Sequence, residues 1–262
     1  MVPTPSALPH DQEATMPNTP SSASAAQPPT AARDTGLVAA LLILSVSTGI
    51  LDGVSYHALD QVFTGNMTGN VLFVGFALGG QQELPVINLL VALLAFVLGV
   101  IVAARVLRIR PTRDRVPRAT TVMLACGTAA TLAIGVGWGW IEPLDSTGIL
   151  LVTGVLAFFL GAQASALKPV GIRDISTVVV TMTIVNLASD GWFVGKNDPH
   201  WLRKLLAILA MALGAYVGAA LYFSFGAAVA TCAGGVVMGC GAVVLRVVSN
   251  RLARSGIRQS RI

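Results

Sequence analysis

Charged side chains are scarce in this chain. Asp, Glu, Lys and Arg together make up 11 % of the 262 residues, whereas 54 % are hydrophobic. Several runs of about 20 residues carry few or no charges, and that is the length a helix needs to cross a bilayer. The composition excludes an ordinary water-soluble domain and predicts an all-α protein embedded in a lipid bilayer.

Cysteines and catalytic motifs are scarce as well. Cys126, Cys232 and Cys240 lie in apolar segments without CxxC or Cys/His spacing, which indicates small core residues rather than disulfides or metal ligands. The chain has no HExxH, GxSxG or Walker sequence and no cluster of His with acids in an apolar segment. We therefore expect no enzymatic activity, no metal site and no cofactor.

The two ends of the chain differ from its middle. Residues 1–35 have no basic cluster and no apolar core, as a signal peptide would, and are rich in Pro, Ser, Thr and Ala, which predicts a disordered cytoplasmic tail. Residues 36–247 form the predicted membrane domain, and residues 248–262 a basic cytoplasmic tail. The arginines are bunched in loops and at the C-terminus, which in a membrane protein indicates orientation rather than nucleic-acid binding.

Charge also decides between two topologies. Two shorter segments, 62–79 and 175–190, are each broken near the start by glycine or polar residues. If both crossed the membrane, the C-terminal arginines would face outward; if neither does, every basic cluster falls on one side. The positive-inside rule therefore predicts six full spans with both termini cytoplasmic. The six predicted spans are residues 36–57, 86–106, 119–141, 147–167, 202–224 and 227–247.

The chain also contains an internal repeat. Three features of the first half return in the same order in the second half, at offsets of about 112 to 115 residues. They are Gly49 with Gly161, FTGNMTGNVL (Phe63–Leu72) with STVVVTMTIVNL (Ser176–Leu187), and LGVIVAA (Leu98–Ala104) with LGAYVGAA (Leu213–Ala220).

Three full spans in each half would place the two copies in opposite orientations. Residues 36–141 and 147–247 then form an inverted repeat, and the two short segments re-enter the membrane from opposite sides. Non-helical backbone at that depth is tolerated only where protein or a water-filled cavity surrounds it, and inverted repeats with broken helices are common in transporters and channels.

Small residues at four-residue spacing indicate helix faces that approach closely. Gly214 and Gly218 form a GxxxG pattern, and Gly99 with Ala103 forms its counterpart in the first half. We expect such faces to pack helices together and to offer a route to a homo-oligomer.

Polar residues at the starts of the two short segments predict a solute site. A helix beginning near Thr68 would point unpaired backbone N–H groups and its positive end toward the membrane centre, which suits a small polar or anionic solute. In the alternative interpretation the glycines only allow tight packing and Thr and Asn cap a broken helix. The candidate solute-binding residues are Thr64, Asn66, Thr68, Gly69, Asn70, Gln163, Thr177, Thr181 and Thr183.

Asp52 is the acidic residue well inside a predicted span. An intramembrane carboxylate is a candidate proton or cation site, so we expect Asp52 to couple or gate transport. Tyr56 lies one turn further on the same face and could hydrogen-bond the carboxylate. The alternative is that Asp52 lies at the outer interface or bonds the adjacent loop.

The stretch GILDGVSYHALDQVFTGNMTGNVLFVGFAL (Gly49–Leu78), followed by GAQASAL and STVVVTMT, resembles the YoaK-like family of bacterial inner-membrane proteins. The resemblance covers nearly everything from residue 37 to residue 247. It implies a multi-span protein of the inner membrane and assigns no substrate or binding residue. Family members usually carry a TGT-like sequence where this chain has Thr181, Met182 and Thr183, and the missing glycine counts against two equivalent backbone sites.

Three functions fit these features. The first is a carrier of a small polar or anionic solute between the two repeats. The second is a membrane scaffold or regulatory protein, which would depend on the basic segment 249–262 rather than on Asp52 or Thr68. The third is a passive channel, which would need no coupling ion.

Overall fold

The computed structural model describes residues 31–109, 116–141, 143–170, 180–189 and 201–259, and within these ranges the regular elements are all helices. The predicted N-terminal tail lies outside this part of the chain up to residue 30, and the first helix begins at Ala31. The helices are α1 (Ala31–Ala58), α2 (Met67–Leu78), α3 (Val86–Ile109), α4 (Arg118–Ile141), α5 (Ser146–Ala166), α6 (Val180–Ser189) and α7 (Trp201–Gln259), with a short 3-10 helix at Lys168–Val170.

In the part of the chain that the structure describes, five apolar helices are long enough to cross a membrane. A helix rises 1.5 Å per residue, so a hydrocarbon core of about 30 Å takes about 20 residues. The chain is therefore an all-α membrane protein, as its composition predicts. The five helical stretches are Thr35–Ala58, Val86–Ile109, Arg118–Ile141, Ser146–Val170 and Trp201–Ala253.

The last of these stretches is bent back at Gly226. Gly226 has φ 84° and ψ 175°, which glycine adopts without strain and which interrupts the helix. The predicted spans 202–224 and 227–247 lie on either side of this residue. Beyond residue 247 the helix continues to Gln259, so the predicted basic tail begins as helix.

Four glycines of α7 show the direction of each half. Before the bend, glycines with higher residue numbers contact residues of α1 that also have higher numbers. After the bend, glycines with higher residue numbers contact residues of α1 with lower numbers. The pairs are Gly214 with Val46 and Gly218 with Ile50 before the bend, and Gly234 with Leu51 and Gly241 with Leu44 after it. The two halves of α7 therefore run in opposite directions along α1.

Two helix crossings are built from glycines that lie directly against backbone carbonyl groups. At each crossing, a methyl group on either glycine would overlap a carbonyl oxygen of the other helix. The pairs are Gly99 with Phe158 and Gly161 with Phe96 where α3 crosses α5, and Gly214 with Val46 and Gly49 with Met211 where α1 crosses α7.

At these crossings the small-residue faces pack helices of one chain together, and the homo-oligomer stays a prediction. Gly99, Ala103, Gly214 and Gly218 are all buried between helices of a single chain. Glycine at these points lets two backbones approach closely, so the faces are already covered within the fold.

The innermost span is α1. In its most apolar window 72 % of the residues are buried, compared with 28 % for α4. The outer helices present large apolar side chains on their surfaces, as helices facing lipid do. Cys126 on α4 and Cys240 on α7 are exposed on these surfaces, so the expectation that they are core residues is wrong.

Candidate functional site

Asp52 is buried in α1 and binds the loop that leads into α2. Its side chain is 4 % exposed. Oδ1 accepts hydrogen bonds from the backbone N–H of Thr64 at 3.1 Å and of Gly65 at 2.6 Å. The carboxylate therefore anchors the non-helical segment, which agrees with the alternative interpretation in which Asp52 bonds the adjacent loop.

The loop turns back on α1 through several local features. Asp60 and Gln61 have φ values of 55° and 61°, a left-handed pair that reverses the chain. Asn70 then fixes the part of the loop that follows this turn. Its Oδ1 accepts from the N–H of Phe63 at 3.0 Å, and its Nδ2 donates to the carbonyl of Phe63 at 2.7 Å. Asn70 is thus a structural bridge and not a group directed at a solute.

Gly65 has to be a glycine because two side chains of α1 are close to it. A Cβ at this position would lie 2.8 Å from Cγ2 of Thr48 and 3.1 Å from Oδ2 of Asp52. The small residue lets the backbone of the loop approach the carboxylate. This close approach explains why the TGN sequence is needed here, whether or not a solute binds nearby.

Five buried polar residues meet around this point, and we call them the polar cluster. Ser55 donates to the carbonyl of Asp52 at 3.2 Å and lies 3.5 Å from the hydroxyl of Thr64. The hydroxyl of Thr48 accepts from Nε2 of Gln163 at 3.1 Å and donates to the carbonyl of Leu44 at 3.0 Å. The members of the cluster are Thr48, Asp52, Ser55, Thr64 and Gln163, none more than 4 % exposed.

The polar cluster joins the two halves of the molecule. Four members come from α1 and the loop after it, and Gln163 comes from α5. Two of its oxygen atoms, Oδ2 of Asp52 and Oε1 of Gln163, are buried without a hydrogen-bond partner in the described structure. Such atoms are expensive to bury, so they mark the part of the cluster with unused binding capacity.

The structure separates the predicted site residues into two groups. Thr64 and Gln163 belong to the polar cluster, and Thr183 is buried on α6. The others do not converge, because the side chains of Asn66, Thr68 and Thr181 are exposed, Gly69 packs against the ring of Phe63, and Thr177 lies outside the described residues.

Tyr56 also differs from its expected role. Its ring stacks on Phe63 with centroids 5.2 Å apart, and no hydrogen bond joins it to Asp52. Backbone amides of the loop bind the carboxylate in its place. The N–H groups reach the carboxylate because the loop folds back against α1. The helical spacing of Asp52 and Tyr56 does not indicate this fold of the loop.

Sequence reasoning missed Thr48 and Ser55. They lie four residues before and three residues after Asp52, so all three share one face of α1. Three polar residues at this spacing within an apolar helix are a usable signal. Thr48 in particular connects Asp52, through its contact with Gly65, to Gln163 on α5.

A second buried charge lies beside α6. Lys204 is 3 % exposed, and its Nζ donates to the backbone carbonyl of Asn186 at 3.3 Å. Its ammonium group lies against the last turn described for α6.

Two open grooves lie away from the polar cluster. One, of about 460 Å³, runs between α3, α4 and α5, and the other, of about 440 Å³, between α4 and the second half of α7. Both are mainly apolar, with Arg118 bordering the first and Arg246 the second. Neither groove reaches Asp52, so they do not form part of the candidate site.

Comparison with known proteins adds a family. The profile of the family described as "Protein of unknown function (DUF1275)" matches residues 40–244. The chain is also 32 % identical over 184 residues to the UPF0700 transmembrane protein YoaK of Bacillus subtilis (strain 168), a match that covers 68 % of this chain and 80 % of that protein. No solved structure matches the chain.

Proposed function

The chain belongs to the DUF1275 family, and we propose that this multi-pass membrane protein carries a small polar solute past the polar cluster between its two halves. The observation that carries the proposal is the burial of Thr48, Asp52 and Gln163 together, where α1 meets α5. Polar groups within a membrane domain are unfavourable unless they have partners or a use. Two oxygen atoms of this cluster have no partner, which favours a use.

The helix crossings support the inverted repeat that a carrier of this kind would have. In the predicted repeat, Gly49 corresponds to Gly161 at an offset of 112 residues, and Phe96 corresponds to Met211 at an offset of 115 residues. The contact between Gly49 and Met211 therefore has the same form as the contact between Gly161 and Phe96. The first helix of each half thus packs against the third helix of the other half.

The directions of the helices support six spans. The two halves of α7 run in opposite directions, so α7 counts as two crossings and the total becomes six. Three crossings in each half invert one copy relative to the other. With the basic clusters inside, both termini of the chain lie in the cytoplasm and the protein lies in the bacterial inner membrane.

The length of α2 supports a re-entrant segment. It contains 12 residues, which gives a length of about 18 Å, roughly half of the hydrocarbon core. The loop before α2 is held against α1 by Asp52, and irregular backbone within a membrane has to be surrounded by protein in this way. In a carrier, movement of this segment relative to α1 would open one side of the path.

The geometry narrows the class of solute. We expected backbone N–H groups at the start of α2 to attract an anion. The N–H groups of Thr64 and Gly65, in the loop just before α2, are already bonded to Asp52, so a carboxylate of the protein lies beside the start of α2 and would repel an anionic solute there. A neutral polar or cationic solute therefore fits the cluster better than an anion.

Flux through purified protein in liposomes tests transport. We would measure osmotic swelling by light scattering with a panel of neutral polar solutes, and charge movement with organic and inorganic cations. Flux above that of protein-free liposomes, reduced at least about tenfold by Thr48→Val but unchanged by the matched control Thr153→Val, would support the proposal. No flux across the panel, or equal flux in both variants, would contradict it.

Saturation separates a carrier from a passive channel. A carrier binds one solute per cycle, so its flux should level off as the solute concentration rises, whereas channel flux rises in proportion. The concentration dependence of the same swelling or current signal measures this. Linear flux up to high concentration would replace the carrier by a channel of the same architecture.

Labelling of single cysteines tests the orientation. In a variant lacking Cys126, Cys232 and Cys240, cysteines at positions 60 and 82 flank α2. Labelling of both from outside, with position 251 labelled from inside, is expected for a re-entrant α2. Labelling of positions 60 and 82 from opposite sides would show that α2 spans the membrane and would remove the inverted repeat.

A further inference from the structure

Among the residues that the structure describes, the carboxyl group of Asp52 forms no ion pair with a basic side chain. The sequences of α2, α5 and the stretch of α7 from residue 205 to residue 245 contain no Asp, Glu, Lys or Arg. α3 brings its first basic residue at Arg105. After Asp52, the titratable residues of α1 are Tyr56 and His57, and Asp60 lies in the following loop; Arg33 and Asp34 lie at the start of α1, about five turns before Asp52. Tyr56 and His57 belong to an aromatic group, with His57 5.6 Å from the ring of Tyr222. An unpaired carboxylate in such surroundings needs a cation or a proton.

The two oxygen atoms of Asp52 are used unequally. Oδ1 accepts two backbone N–H groups, while Oδ2 is buried without a partner in the described structure. If Asp52 served only to anchor the loop, one oxygen would have sufficed, which is what an asparagine provides. The second oxygen and the negative charge are therefore not explained by loop anchoring.

A second unused oxygen lies on the opposite helix. Gln163 is 3 % exposed, and Thr48 accepts from its Nε2 at 3.1 Å, which leaves Oε1 without a partner. Thr48 also borders the carboxylate, because the Cβ position of Gly65 is 2.8 Å from Cγ2 of Thr48 and 3.1 Å from Oδ2 of Asp52. The two unpartnered oxygen atoms thus belong to residues that both adjoin Thr48.

We propose that Oδ2 of Asp52 and Oε1 of Gln163 bind one monovalent cation, H⁺ or Na⁺, between α1 and α5. Oxygen atoms are the ligands that hard cations prefer, and a single carboxylate balances a single positive charge. Divalent ions usually take more than one carboxylate in a protein site, and the cluster has one. A bound cation would satisfy both unused acceptors and neutralise the buried charge.

The site would link the cation to the position of α2. The carboxylate that binds the cation with Oδ2 holds the loop before α2 with Oδ1, and Gln163 belongs to the other half of the molecule. Loss of the cation would leave both acceptors buried without a partner. The inference rests on the proposed function only for its role as the coupling ion, because binding itself does not require transport.

Thermal unfolding of the purified protein tests binding without transport. Intrinsic tryptophan fluorescence would report Tm in NaCl, KCl and choline chloride at equal ionic strength, over a range of pH. A Na⁺ site predicts a rise of about 3 °C or more in saturating NaCl relative to choline chloride. A proton site predicts no effect of Na⁺ and a change of Tm with pH that Asp52 causes.

Asp52→Asn is the informative variant because an asparagine keeps the oxygen that accepts the two loop N–H groups. The variant should fold. It should lose the rise of Tm with Na⁺ if the site binds Na⁺, or the part of the change of Tm with pH that is due to Asp52 if the site binds a proton. Gln163→Leu should weaken the response several-fold while leaving Asp52 in place. The control Asp145→Asn alters an exposed N-cap carboxylate, whose Oδ1 accepts from the N–H of Gly148 at 2.8 Å, and should keep the full response.

The same experiment can overturn the proposal. If Asp52→Asn and the wild type respond equally to Na⁺ and to pH, Asp52 only anchors the loop. If Gln163→Leu keeps the full response, the site does not involve α5. If no cation binds, the protein could still carry an uncharged solute without ion coupling. If a cation binds but no flux is seen, only the transport function is removed.

Discussion

The two short helices are held against the long helices by buried charges of opposite sign. Asp52 accepts hydrogen bonds from N–H groups just before α2 begins, and Lys204 donates to the carbonyl of Asn186 in the last turn of α6. A negative charge suits the start of a helix and a positive charge suits its end. The comparison teaches that one task, fixing a short helix, is done by different chemistry in the two halves.

The helix crossings, unlike the charged side chains that hold the short helices, have the same form in both halves. The positions that the predicted repeat makes equivalent to the two anchors are uncharged: the counterpart of Asp52 lies near Gln163, and an offset of 115 residues relates Lys204 to Leu89. Backbone packing is thus alike at the two crossings, while the charged groups occur once each.

Adding a methyl group at a helix crossing should have the largest effect on stability, and the effect should be similar at both crossings. Gly99→Ala and Gly214→Ala each place a methyl group onto a carbonyl oxygen of the neighbouring helix. Both should lower the free energy of unfolding by more than about 3 kcal/mol, with loss of monodisperse protein on gel filtration. Gly137→Ala, where no atom lies within 4 Å, is the control and should be neutral or stabilising. Tolerance at one crossing alone would show that the two are not equivalent.

Removal of the acceptor at Asp52 should release α2. Asp52→Leu leaves the N–H groups of Thr64 and Gly65 buried without a partner, so we expect a loss of about 2 to 3 kcal/mol in unfolding free energy. Limited proteolysis within residues 59–66 would measure the release directly. Asp52→Asn should be cut much more slowly. Equal cleavage of both variants would mean that the charge, and not the acceptor, anchors the loop.

Removal of the donor at Lys204 should release the end of α6 with a smaller effect. Lys204→Met keeps the volume and removes the bond to Asn186, for an expected loss of about 1 to 2 kcal/mol measured as a fall in Tm. The neighbouring Arg203→Met changes the same charge on a less buried side chain. If Arg203→Met is as harmful as Lys204→Met, total charge rather than the buried contact stabilises this end.

Buried hydroxyls outside the polar cluster should matter least. Oγ1 of Thr153 and of Thr231 have no hydrogen-bond partner in the described structure. Thr153→Val and Thr231→Val should therefore change unfolding free energy by less than about 0.5 kcal/mol, since removal of an unpartnered hydroxyl is nearly neutral. Tm values measured beside Thr48→Val would check this. A clear loss in either variant would extend the polar cluster beyond its five members.

The arrangement of the candidate site could be predicted only in part. Asp52, Thr64 and Gln163 were identified because polar residues stand out in apolar helices. Asn66, Thr68 and Thr181 were expected to face inward and do not. The helical phase of a segment that follows a non-helical loop depends on how that loop folds, and here Asn70, Gly65 and the left-handed pair at residues 60 and 61 set it.

The lengths and order of the membrane helices were determined by the sequence alone, because an apolar run of about 20 residues can satisfy its backbone in lipid only as a helix. The pairing of the small-residue faces was decided by the tertiary structure, which brings Gly99 to α5 and Gly214 to α1. The partner of Asp52 was decided in the same way. Apolar surface does not distinguish one neighbour from another in lipid, so close packing and hydrogen bonds between distant segments make that choice.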